Sequence, residues 1–237
     1  MTFKERFFLN FIKDSRWHYL TDGLIVTLEV TFFAVLIGIL IGVIVAAIRS
    51  THDKIIERVR SKFGKLILKF FNTIANIYLT VIRGTPVTVQ LMIAYYIIFV
   101  ASNNKVLVAV LAFGINSGAY VAEIVRSGIM SIDEGQTEAG RSLGFNYVQT
   151  MFYIVLPQAF KNVLPALANE FIVLLKETSV SGYVALQDLT RGGDIIRGRT
   201  YDAFFPLLAV AGIYLVMVIG FTKLVSLLER RLRKSER

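Results

Sequence analysis

Residues 30–48 read VTFFAVLIGILIGVIVAAI, nineteen positions without a charge. Leu24 to Leu28 lengthens the run past a single acid, Glu29. A helix of about 20 mainly apolar residues crosses the roughly 30 Å hydrocarbon core of a bilayer. Within that core every backbone polar group must find its partner inside the protein, which restricts spanning segments to helices and closed barrels. The run exceeds the apolar core of about 7–15 residues found in a cleaved secretory signal, and no cleavage site follows it. It therefore reads as a membrane-spanning helix, and the chain as an all-α membrane protein.

Further uncharged runs extend the pattern: Gly84 to Asn104, Val106 to Ala122 and Ala203 to Thr222. Val163 to Leu186 is also apolar but contains Glu170, Lys176 and Glu177. Five spans follow, at about 24–48, 84–102, 106–127, 162–182 and 203–224. Composition agrees. Across 237 residues 55% are hydrophobic and 18% charged, against about 25% charged in a soluble chain, and mean hydropathy is +0.61. The net charge of +9 does not make a nucleic-acid binder, which would spread Lys and Arg over a soluble domain. There is no cysteine, and His18 and His52 stand far apart. No disulfide, metal site or cofactor is expected.

Five spans put the termini on opposite sides, and the basic residues set the orientation. Loop 49–69 holds seven Lys and Arg, and Arg83, Arg126, Arg141, Lys161 and six C-terminal residues fall on the same side. That side carries 17 of the 26 basic residues, so the N-terminus is expected outside and the C-terminus in the cytoplasm. Phe3, Phe7, Phe8, Phe11 and Ile12 recur near helical spacing among charges. They predict an amphipathic interfacial helix over 1–20, the alternative being a disordered start. Residues 21–230 form the membrane domain and 231–237 a basic tail. Segment 66–82 reads as a cytoplasmic-side helix leading into the second span.

Segment 131–157 contains a stretch, 131–146, too polar to cross a bilayer. By composition it is an ordinary turn between spans, or a short exposed helix with small residues at Ala139 and Gly140 ending at Gly144. Its spacing adds more. Glu138-Ala139-Gly140, then Gly144, then Ile154, Leu156 and Pro157 resembles the Glu-Ala-Ala signature of type I ABC importer permeases, with Gly140 standing where the pattern has alanine. Arg83-Gly84-Thr85-Pro86 with Gln90-Leu91, Ala119 through Arg126, and Leu174 through Ser179 resemble segments of the polar amino-acid (histidine, glutamine, glutamate) permeases.

The resemblance covers about residues 20–230. It implies a five-helix permease bundle with a cytoplasmic coupling helix. Expected partners are a second permease subunit, identical or homologous, two ATPase subunits, an extracytoplasmic substrate-binding protein, an amino-acid substrate and membrane lipid. Glu138, Ala139, Gly140, Arg141 and Gly144 would meet the ATPase. The chain has no G-x-x-x-x-G-K-[ST] phosphate cradle, so it is not expected to be an enzyme, and ATP hydrolysis falls to a partner.

Ionisable groups within spans are costly and usually face a cavity or each other. Glu170, Lys176 and Glu177, with Asn116, Tyr120, Glu123 and Ser179, are the candidate substrate contacts. Lys176 suits an α-carboxylate and a glutamate an α-ammonium. Alternatively Lys176 pairs with Glu177 or Glu123 and holds the bundle together. Two rival readings are an ion-coupled secondary transporter or channel acting as a dimer, and a membrane scaffold. No internal repeat supports the first, and three ionisable groups in the fourth span argue against the second.

Overall fold

The computed structural model describes residues 2–57 and 59–234, and all of its described elements are helical. α1 (Phe3–Phe7) runs into a π-helical turn (Phe8–Ile12) and a 3-10 turn (Lys13–Ser15). α2 (His18–Ile55) and α3 (Lys62–Arg83) follow, then α4 (Val87–Ile93), which ends in a π-helical turn (Ala94–Ile98). α5 (Lys105–Met130) leads to the short α6 (Glu134–Ser142). α7 (Tyr147–Thr150) continues through a π-helical turn (Met151–Val155) into α8 (Leu156–Glu177) and a 3-10 segment (Thr178–Val184). α9 (Leu189–Thr200) and α10 (Phe204–Lys234) complete the described chain. Among the described residues five helical runs are long and apolar enough to cross a membrane: His18–Ile55, Lys62–Arg83, Lys105–Met130, Tyr147–Val184 and Phe204–Leu232.

The number of spans matches expectation, but the second lies elsewhere. It is α3, the segment read from sequence as a surface helix, whereas the expected span at 84–102 contains only the short apolar helix Val87–Ile98. Two features explain the difference. Lys62, Lys65, Lys69, Asn72 and Asn76 give α3 a polar look although most of its length is apolar. Gly84-Thr85-Pro86 then breaks the uncharged run, because Pro86 has no N–H to continue the ladder. α3 and α4 together make one broken crossing. Ala75 and Leu79 pack with Val45, Ala119 and Ala122, and Leu91 and Ala94 pack further along with Val30, Ala34, Val108 and Phe113.

α2 and α5 form the most extensive helix pair. They run parallel: Gly38 meets Ser117, Gly42 meets Val121, Arg49 meets Glu123 and Asp53 meets Arg126. Small residues let membrane helices approach closely, and backbone proximity replaces a hydrophobic drive that lipid does not supply. A Cβ on Gly42 would stand 2.4 Å from Val121 Cγ1, so only glycine permits this approach. α8 runs antiparallel to α5, with Val163 against Gly128 and Glu170 against Ser117. α10 packs on α8 through Phe171 and Phe221.

The N-terminal segment docks on protein as well as exposing apolar rings. Phe11 is buried with Leu20, Leu189, Ile196 and Phe205, while Phe3, Phe8 and Ile12 remain exposed. Arg6 donates Nε to Asp202 Oδ2 at 2.9 Å and Nη2 to Oδ1 at 2.7 Å, and Asn10 Nδ2 donates to the same carboxylate at 2.9 Å. This holds the Asp202 carboxyl down at about 2, the Arg6 bond being the main cause. Of the basic residues counted for orientation, Arg58 and Arg237 lie outside the described residues, as does the rest of the tail from 235.

Candidate functional site

The candidate substrate residues lie along α5 and α8 and in the segment just after α8. Ser117 Oγ donates to Glu170 Oε1 at 2.8 Å, joining α5 to α8. Both residues are buried. Asn116, eleven residues from the start of α5, is about 17 Å along that helix, so the junction sits near mid-membrane. Asn116 Nδ2 donates to Gln90 Oε1 at 2.9 Å. Gln90 Nε2 in turn donates to Ile82 O (2.7 Å), Thr85 O (3.1 Å) and Thr85 Oγ1 (2.7 Å). The break at 84–86 frees carbonyls, and Gln90 satisfies them. That fixes the orientation of its amide.

Toward the C-terminal end of α5, Glu123 accepts from Arg49 Nη1 at 2.9 Å and lies 3.7 Å from Arg83 Nη1. The Arg83 guanidinium stands 5.9 Å from the Tyr120 ring centroid, within range of a cation–π contact. Glu123 is therefore paired with arginines rather than with Lys176. Lys176 is exposed near the C-terminal end of α8 and makes no ion pair within 4.0 Å among the described residues, while Glu177 is half-buried. Lys176 is six residues past Glu170, about 9 Å along the helix. Ser179 lies beyond, lining a cavity of about 470 Å³ with Tyr183, Arg191, Asp194 and Arg197. Arg197 holds the Asp194 carboxyl below its ordinary value.

The structure thus brings Asn116 and Glu170 to one level and spaces Glu123 with Tyr120, and Lys176 with Glu177 and Ser179, on either side. Sequence reading passed over Gln90, Ser117 and Arg49 as site residues. Ser117 adjoins Asn116, and Gln90 follows Pro86 by four positions within an apolar run. Arg49 had been counted only as a topological charge.

The second candidate element is α6. Asp133 caps it, accepting from Gly135 N at 2.7 Å. It ends in a Schellman arrangement: Phe145 N–H donates to Gly140 O at 3.1 Å and Gly144 N–H to Arg141 O at 3.0 Å. Gly144 has φ +86, a conformation open to glycine at little cost. Gly140 is buried against the chain itself, and a Cβ there would lie 2.8 Å from Ile154 Cδ1 and 2.9 Å from Thr150 Cγ2. This is the physical reason for glycine where the signature has alanine. Glu138, Ala139 and Arg141 are exposed. Glu138 and Arg141 also line a cleft of about 270 Å³ with Asp53, Lys54, Glu134 and Tyr147.

The family model for the binding-protein-dependent transport system inner membrane component matches residues 63–234. The chain belongs to this family. Among relatives of the family, the putative glutamine transport system permease GlnP of Rickettsia typhi is 34% identical over 90% of this chain and 93% of its own length. The arginine transport system permease ArtQ of Bacillus subtilis is 34% identical over 92% and 94%. A crystal structure of an amino acid ABC transporter with histidines superposes with TM-score 0.80 at 43% identity, covering 93% of this chain and 98% of that one. The MetNI methionine ABC transporter in an inward-facing conformation shares the fold, with TM-score 0.76 at 20% identity. The chain is a multi-pass inner-membrane transport component with five membrane-length helices.

Proposed function

We propose that this chain is the permease subunit of an importer that moves a polar amino acid inward by alternating access. The observation that carries this reading is the mid-membrane junction of Glu170 with Ser117, beside the Asn116–Gln90 pair. Relatives named for glutamine, arginine and L-cystine transport support an amino-acid substrate. In this reading Lys176 meets the α-carboxylate, and Glu170 or Glu177 the α-ammonium. Asn116, Tyr120 and Ser179 add polar contacts along the path, and Glu123 stands at its inner end.

Two permease subunits, identical or homologous, pair in the membrane. A soluble binding protein delivers substrate at the outer face, where the N-terminus lies, and two ATPase subunits sit at the cytoplasmic face with the C-terminus. Glu138, Ala139 and Arg141 face the ATPase, while Gly140 and Gly144 set the shape of the coupling helix. Closure of the ATPase pair on ATP draws the two coupling helices together, and the spans rock as packed units. Hydrolysis on the partner releases them, and the cavity opens inward.

The test is reconstitution with the ATPase and binding protein in proteoliposomes. Uptake of a labelled polar amino acid should require ATP and the binding protein. Uptake driven by an ion gradient without ATP would favour the secondary-transporter reading instead.

A further inference from the structure

A cleft of about 600 Å³ opens between the inner halves of α2 and α3. Ala47, Ile48 and Ile55 line it from one side and Ile67, Leu68 and Phe71 from the other. This is also where charge begins. Residues 49–69 hold seven basic side chains against the acids Asp53 and Glu57. Arg49 is bound to Glu123 and Asp53 to Arg126. Arg60, Lys62, Lys65 and Lys69 make no ion pair within 4.0 Å among the described residues. Gly64, Leu68 and Phe71 share one helical face that borders the cleft, and Lys65 and Lys69 follow on the adjoining strip. The capped start of α3 at Ser61 adds the positive end of a 22-residue helix dipole.

An apolar recess topped by unpaired cations fits a ligand with two matching parts. We propose that this cleft is a binding site for an anionic phospholipid. Its acyl chains fill the recess, and its phosphate lies among Lys62, Lys65 and Arg60. An extended peptide suits the site less, since its backbone groups would find an apolar wall. A second copy also suits it less. A two-fold contact places the same patch on both sides, and here that sets lysine against lysine.

The test uses the full-length chain purified with its partner subunits and titrated with lipid under native mass spectrometry. Phosphatidylglycerol should bind at least about tenfold more tightly than phosphatidylcholine of the same chains. Lys62→Gln and Lys65→Gln should each weaken that binding about fivefold, the factor equivalent to ~1 kcal/mol per basic residue at an anionic surface. Thr51→Trp, which fills the recess, should weaken both lipids together. Equal affinity for the two lipids would overturn the site. So would full retention in the double glutamine variant, or displacement by millimolar inorganic phosphate, which would make it a phosphate site only. Cross-linking of two copies through cysteines introduced at Leu68 would assign the face to a subunit contact and overturn it as well.

Discussion

Ser117 and Glu170 stand 53 residues apart in sequence and share a 2.8 Å hydrogen bond at the centre of the bundle. Both are buried, and the bond ties the antiparallel α5 and α8 together. A carboxyl in this position links the two helices within the bundle.

Glu170→Gln preserves size and hydrogen bonding, whereas Glu170→Leu strands the Ser117 hydroxyl. Transport by the leucine variant should fall about 5–150-fold, the range set by leaving a buried hydroxyl unsatisfied at about 1–3 kcal/mol. The glutamine variant should keep its melting temperature and lose uptake. Initial rates in proteoliposomes, beside thermal melts of the purified complex, separate the two effects.

Lys176→Met should abolish uptake while the complex still assembles, because the lysine is exposed and holds no ion pair among the described residues. Size-exclusion chromatography checks assembly and labelled uptake checks function. Normal kinetics in this variant would remove Lys176 from the path.

Gly144 adopts φ +86 at the end of α6. Alanine there should cost about 1–2 kcal/mol, and Gly144→Asp with Glu138→Lys should uncouple transport from ATP hydrolysis. The measurement is substrate-stimulated ATPase activity in the reconstituted complex. Survival of both stimulation and transport would sink the coupling assignment.

The Arg6–Asp202 contact supplies a pH test. The Asp202 carboxyl titrates near 2 in the folded chain, against 3.8 ordinarily. Its folded value is depressed, so its contribution is complete above pH 3.8 and lost as pH falls toward 2. Hydrogen-exchange protection of residues 3–12, taken relative to the intrinsic rate at each pH, should therefore hold at pH 5 and fall below about pH 4. Asp202→Asn should show fast exchange across that whole range.

Much of the bundle was legible from hydropathy alone, because a helix in lipid has few alternatives. The run that became α5 was found within three residues of both ends, while α2 and α10 extend six to ten residues past the apolar runs, where charged residues begin. The second crossing begins earlier than expected, in α3, because Gly84 to Asn104 carries no charge to mark the break at its start. Gly84-Thr85-Pro86 was the stronger signal. Gly144 was recognisable as a helix stop because a single residue determines the local backbone. The site was harder to see. Gln90, Ser117 and Arg49 owe their roles to partners 26, 53 and 74 residues away, and spacing along one chain does not encode such distances. Gly140 looked like a variation at the partner's surface, but its constraint comes from Thr150 and Ile154 on the next helical run.

The two ion pairs Arg49–Glu123 and Asp53–Arg126 lie near the C-terminal ends of the parallel α2 and α5, and interlocked glycines hold the same two helices further along. Sliding one helix by a turn would break both pairs and drive Val121 into the backbone of its neighbour. The pair therefore behaves mechanically as one beam with a fixed register. Its lower end borders the cleft beside α6 through Asp53 and Lys54. A transport cycle acting through that end has few degrees of freedom to exploit. Torque delivered at the base reappears at the height of Asn116 with little lost to internal slip.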